Sequence, residues 1–206
     1  MPNNKYKNGF SINLNFTEDG KSFKKFKDQL TSKISDSASA THQIEKAKEV
    51  FSCMLPSYSG RNRKVGLVAA RVQSGKTTSF TAVSALAADN DYAAIIHLLG
   101  TNLNLKEDNE ADVAKYLELA GYDDIDSSFH VVKVQPSSKG GLTNNGIEVK
   151  DHDIANFMSV APRSRWETRK RKTVYYPLLK HYNSIDLLQG HLKEVFKYLN
   201  DPRPIL

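Results

Sequence analysis

The stretch Lys64-Val65-Gly66-Leu67-Val68-Ala69-Ala70-Arg71-Val72-Gln73-Ser74-Gly75-Lys76-Thr77-Thr78 decides how the rest of the chain reads. Its first six residues are short and apolar, with β-branched Val65 and Val68, the pattern of a buried strand. Its second half, Ser74 to Thr78, leads into Ser79-Phe80-Thr81-Ala82-Val83-Ser84-Ala85-Leu86-Ala87, where Phe80, Val83 and Ala87 recur at helical spacing. Strand, glycine-bearing loop and helix in this order form the scaffold of a phosphate loop, whose general pattern is G-x-x-x-x-G-K-[ST]. Only Ala70 departs from that pattern, standing where the first glycine is expected.

Each residue type in the loop has a chemical reason. Backbone N–H groups at Arg71, Val72, Gln73, Ser74 and Gly75 cradle phosphate oxygens, and the following helix presents its positive dipole end to them. Lys76 neutralises the β- and γ-phosphates, the Thr77 hydroxyl ligates Mg²⁺, and Thr78 completes the first helical turn. The expected cofactors are ATP and Mg²⁺, with Lys76 and Thr77 as the catalytic pair and Thr77 as the metal-contacting residue.

From Lys64 onward strand and helix patterns alternate. Ala93 to Leu99 reads as a buried strand, Val113, Tyr116, Leu117 and Ala120 as one face of a helix, and Phe129 to Val134 as a further strand. Thr173 to Leu179 reads as another, with Pro177 pushing its second half toward an edge or an exit. Ser184 caps a final periodic helix through Ile185, Leu188, Leu192, Val195 and Leu199. This alternation predicts an α/β fold, a parallel sheet flanked by helices.

Ahead of it, residues 1–40 are read as an arm with a short strand near Phe10 to Leu14 and a basic amphipathic helix. Phe23, Phe26 and Leu30 lie on one side of that helix, among Lys21, Lys24, Lys25, Lys27 and Lys33, which read more readily as a solvated outer face than as a nucleic-acid contact. Ser35 to Ala40 is read as a small-residue linker. Thr41 then caps a helix carrying Ile44, Ala47, Phe51 and Leu55, and residues 41–206 form the phosphate-loop domain.

With 206 residues the chain can bury a sizeable core, and its net charge of +6 favours acidic partners such as nucleic acid. The single Cys53 excludes an intramolecular disulfide and reads as a small buried hydrophobe. No apolar run reaches membrane-spanning length and the first residues lack a signal-peptide core, so a cytoplasmic protein with no membrane partner is expected. The six histidines show no metal-ligand spacing, and His97 and His130 read as core residues rather than bases. Asp151 and Asp153 around His152 look like many polar loops.

The segment from Arg163 to Lys172 is densely basic around one aromatic. Arg163, Arg165, Arg169, Lys170, Arg171 and Lys172 suit phosphate contacts and Trp166 suits base stacking; a solvated basic loop with Trp166 packed inward accounts for the segment equally well.

Val65 to Thr77 resembles the first motif of superfamily-two helicases. More narrowly, it is similar to the Z-one domain group of helicase-like endonucleases, whose loop reads Gly-Arg-Val-Gln-Ser-Gly-Lys-Thr and matches here at every position but Ala70. Ile95 to Asn104 is similar to the group's second strand with its Gly-Thr and Asn-rich loop. The resemblance spans roughly Gln43 to Leu206. It implies a RecA-like P-loop ATPase that acts on DNA, commonly in restriction or defence, with possible nuclease association. Gln43 stands about where related helicases place an adenine-reading glutamine, although a solvated helical Gln reads as readily.

The resemblance also implies an acidic second motif, the Walker B strand, soon after the last helix. The chain stops at Pro204-Ile205-Leu206, where such a strand would begin, so the expectation is an N-terminal part whose remaining ATPase portion comes in cis or from a partner subunit. The 206 residues alone would then bind nucleotide and turn it over negligibly. The alternative is a nucleotide- or DNA-binding regulatory module without hydrolysis.

Overall fold

The computed structural model describes residues 5–7, 10–12, 16–54, 75–100, 102–117, 129–131, 143–144, 147–148, 173–178, 185–186, 188–190, 192 and 205–206. The chain divides into two compact units, residues 1–90 and 91–206. Among its described residues the first has three helices, and the basic helix of the N-terminal arm lies in the same unit as the phosphate-loop helix.

In this unit a small antiparallel pair, β1 (Lys5–Lys7) and β2 (Phe10–Ile12), precedes α1 (Lys21–Lys33), α2 (Ser37–Met54) and α3 (Lys76–Asp89). α1 buries Phe23, Phe26 and Leu30 completely, as its spacing predicts, and Phe23 stacks on Phe26. Removing each such side chain from water contributes about 2–3 kcal/mol. α2 buries Ala40, Ala47 and Phe51.

α3 packs against both other helices. It shows no single apolar stripe, because Thr81 to Ala87 are all buried. Small side chains make this possible, and the hydroxyls bond within the helix: Thr81 Oγ1 donates to the Thr77 carbonyl at 2.7 Å and Ser84 Oγ to that of Phe80 at 2.9 Å.

The ends of these helices are joined by polar clamps. Gly20, the N-cap of α1, has no side chain to offer, and Asp89 at the end of α3 takes its place. One Asp89 oxygen accepts from the Ser22 N–H at 3.0 Å, the other from the Phe23 N–H at 2.8 Å. Gly20 is needed for space, since a Cβ there would collide with the Asp89 carboxylate. Asn90 donates to the carbonyls of Leu86, at 2.8 Å, and Thr17, at 3.0 Å, and accepts from the Thr17 N–H at 2.7 Å. Asp91, at φ 63, then turns the chain through the left-handed region that ends many helices.

Three sequence expectations are corrected here. Ser37 to Ala40 is not a linker but the first turn of α2. Asp36 rather than Thr41 caps it, accepting from the N–H groups of Ala38 and Ser39, both at 3.2 Å. Thr41 is inside the helix, its hydroxyl bonded back to the Ser37 carbonyl. Cys53 is exposed, because the buried side of α2 runs through Phe51 and Ser52.

The second unit is a parallel sheet in the order β3-β7-β4, with β3 at Ala94–Leu98, β4 at Phe129–Val131 and β7 at Thr173–Leu178. Ile205 pairs in parallel with Ala94 on the other side of β3, and Leu206 exchanges hydrogen bonds with Ala94 and Ile96 at 2.9 and 2.8 Å. The chain is thus α/β in the broad sense, helices with a parallel sheet. β5 (Thr143–Asn144) and β6 (Ile147–Glu148) form a separate antiparallel pair.

β7 is central rather than an edge, and all six of its residues are buried. Pro177 is tolerated for a geometric reason. Val174 and Leu178 direct their backbone groups to β3, so the missing N–H of Pro177 falls on the β4 side, beyond Tyr175, the last β7 residue paired with a described β4 residue. α4 (Leu103–Leu117) packs on β7, capped by Asn102, whose Oδ1 accepts from the Leu105 N–H at 2.8 Å. Residues 185, 186, 188–190 and 192 are helical; Leu188 is buried, whereas Ile185, read as part of an apolar side, is exposed.

Candidate nucleotide site

The phosphate-loop residues that the structure describes are Gly75, Lys76, Thr77 and Thr78. Gly75 is the N-cap of α3 and lies in the left-handed region at φ 75, ψ 32. A Cβ at this position would meet Gln43 Oε1 at 3.5 Å, an ordinary contact, so the backbone angle and not the space demands glycine. Lys76 and Thr77 open the helix, Lys76 with an exposed side chain. First-turn N–H groups point out of a helix along its axis without intrahelical acceptors, which makes this end of α3 suited to an anion.

The neighbouring helix contributes one more polar group. Gln43 of α2 lies against Gly75, 3.5 to 3.8 Å from the position of its absent Cβ. Its Oε1 is buried, and among the described residues it has no hydrogen-bond partner. Leaving a buried amide oxygen unsatisfied costs about 1–3 kcal/mol, so a donor arriving at this point would be held. The structure therefore brings together Gln43, Gly75, Lys76 and Thr77, residues separated by more than thirty positions in sequence.

Other expected site residues lie outside the described residues: Arg71, Val72, Gln73 and Ser74 of the loop, the strand before it, the basic segment Arg163 to Lys172 with Trp166, and the Asp151–Asp153 cluster. Among the described residues no group of three or more His, Cys, Asp or Glu side chains could hold a metal ion.

Sequence reasoning did not find a second polar constellation, in the sheet unit. His97 Nδ1 and the Tyr175 hydroxyl are 3.0 Å apart, with their rings edge to face. Burial lowers the His97 pKa to about 4, so the imidazole is neutral at ordinary pH. Burial, with the nearby Glu110 carboxylate adding to it, raises that of Tyr175. Glu110 is itself tied to the buried Lys106 at 2.8 Å. The i,i+4 spacing of Lys106 and Glu110 suits an ion pair on one helix face, and Lys106 is buried.

Neither a protein-family model, nor a curated protein, nor a solved structure matches the chain. No helix among the described residues is long and apolar enough to cross a membrane.

Proposed function

We propose that the chain binds ATP with Mg²⁺ at the N-terminus of α3, as the nucleotide-binding portion of a helicase-like, RecA-type ATPase that acts on DNA. The observation that carries the reading is the left-handed Gly75 at the head of α3, followed at once by Lys76 and Thr77, with the buried Gln43 oxygen beside it, which has no hydrogen-bond partner among the described residues. Each group has a role. The helix end and Lys76 hold the β- and γ-phosphates, and Thr77 contacts Mg²⁺. Gln43, an acceptor that phosphate oxygens cannot satisfy, takes a donor such as the exocyclic amine of adenine. DNA action rests on the resemblance in the phosphate loop and on the positive balance of the chain.

Titration calorimetry with MgATP tests the nucleotide site. Lys76→Ala should weaken binding at least roughly tenfold, the order expected for losing a charge-assisted phosphate contact, without altering the melting temperature. Gln43→Ala should reduce the preference for ATP over GTP. Equal affinity of wild type and Lys76→Ala for MgATP would remove the reading.

A further inference from the structure

Gln43 is carried by a helix that is anchored unevenly. Its second half buries Ala47, Phe51 and Ser52, and Phe16 meets the Phe51 ring edge to face with centroids 5.2 Å apart. Lys48 adds an ion pair to Glu18, outside the helix, at 2.7 Å. Across residues 37–46, by contrast, Ala40 is the one buried residue, and its side chain is a single methyl. Ser37, Ser39, Thr41 and His42 are weak helix formers. The cap that starts the helix, Asp36, is exposed, and its bonds to Ala38 and Ser39 are local to the segment. With so little apolar burial, the first half of α2 is the half that opens at the lower cost.

This weakly anchored half is the part that meets the head of α3. Gln43 lies against Gly75, and its Oε1 is withdrawn from water with no hydrogen-bond partner among the described residues. At the other end of α3 the contacts to neighbouring segments are made, Asp89 and Asn90 being bonded to Ser22, Phe23 and Thr17. The cost of burying the Gln43 oxygen therefore falls on the half of α2 with the least apolar burial to offset it. A donor arriving at Oε1 removes that cost, and a ligand bonded to both helices stabilises their contact by linkage.

We infer that Gln43 makes residues 37–46 of α2 a nucleotide-responsive element, held on α3 when a nucleotide with a donor at the place of the adenine 6-amino group occupies the head of α3, and opening more often when the site empties. The inference rests on the proposed nucleotide reading and extends it from binding to the conformational response.

Hydrogen exchange of the full chain, read by mass spectrometry, tests it with three ligands: MgATP, MgITP, whose base has an oxo group in place of the 6-amino group, and magnesium tripolyphosphate, which has no base. Each is used at a concentration that saturates the protein by calorimetry. All three should slow exchange of the amides of residues 76–78, which reports occupancy. MgATP alone should also slow the amides of residues 40–46 by about fivefold, the worth of one ordinary hydrogen bond, while those of residues 50–54 stay unchanged. In Gln43→Ala, saturating MgATP should still protect residues 76–78 and leave residues 40–46 as they are without ligand. Equal protection of residues 40–46 by tripolyphosphate or in Gln43→Ala, or none with MgATP bound, overturns the inference and leaves the nucleotide reading standing. No binding of any of the three, by calorimetry and at residues 76–78, removes the nucleotide reading and the inference with it.

Discussion

The two units of the chain differ in how their elements are joined. The described residues of the first unit include three helices whose ends are tied by side chains: Asp89 caps α1, Asn90 anchors the segment before it, and Asp36 starts α2. In residues 91–206 the central element is a strand with every residue buried and its partners supplied by other strands. Both units bury apolar and aromatic side chains; the first adds polar contacts that join its helix ends, whereas the second is centred on one strand buried along its whole length. Damage should accordingly be local in the first and extensive in the second.

The largest effect should come from the sheet. Tyr176 is fully buried in β7, paired with Ile96 of β3, so Tyr176→Ala should destabilise by about 3–5 kcal/mol in urea denaturation, as for other large-to-small aromatic changes. A loss near 1 kcal/mol would mean that the strand is not the organising element.

Asp89→Ala should rank next. It removes the acceptor of two backbone N–H groups and should cost about 2 kcal/mol. Hydrogen exchange gives the sharper reading: amides near the start of α1 should lose protection while those of β7 keep theirs. Equal loss in both would show that the two units open together and would erase the contrast.

Acid should act on the sheet unit, more gently. His97 titrates near 6.5 when unfolded and at about 4 when folded, so the native state favours the neutral ring. Its contribution is complete above pH 6.5 and is lost as pH falls toward 4. For a half-buried ring that is on the order of 1–2 kcal/mol, measurable as a drop in urea midpoint between pH 7 and pH 4.5 that is smaller in His97→Gln. An identical drop in that variant would assign acid sensitivity to other groups.

The same contrast explains what the sequence disclosed. α1 was legible because one buried side gives a 3.6-residue repeat in Phe23, Phe26 and Leu30. α3 was legible as a helix but not as an enclosed one, since Phe80, Val83 and Ala87 mark one stripe while Thr81 to Ala87 are all buried. β3 and β7 could be read as strands within a residue or so of their ends. The central place of β7 could not, because pairing partners are chosen across some eighty residues and Pro177 argued locally for an edge. At the candidate site, Gly75, Lys76 and Thr77 follow a contiguous pattern and were identified directly. Gln43 was singled out through a resemblance, and only the fold puts its oxygen against Gly75. The Asp89 clamp and the His97–Tyr175 contact left no local trace, as each joins residues more than sixty positions apart.

The position of β7 between β3 and β4 also sets a timetable for synthesis on the ribosome. Thr173 and its partner Tyr92 are separated by 81 residues, and β3 and β4 are bridged only by β7 in the described sheet. At about 5–20 residues per second, roughly 4–16 s pass between the emergence of β3 and that of the strand that joins it to β4. For that interval Ala94-Ile95-Ile96, an apolar segment with strong strand preference, waits without the neighbour that will cover it. Chaperone capture during translation should therefore begin when β3 emerges and end soon after β7 is released.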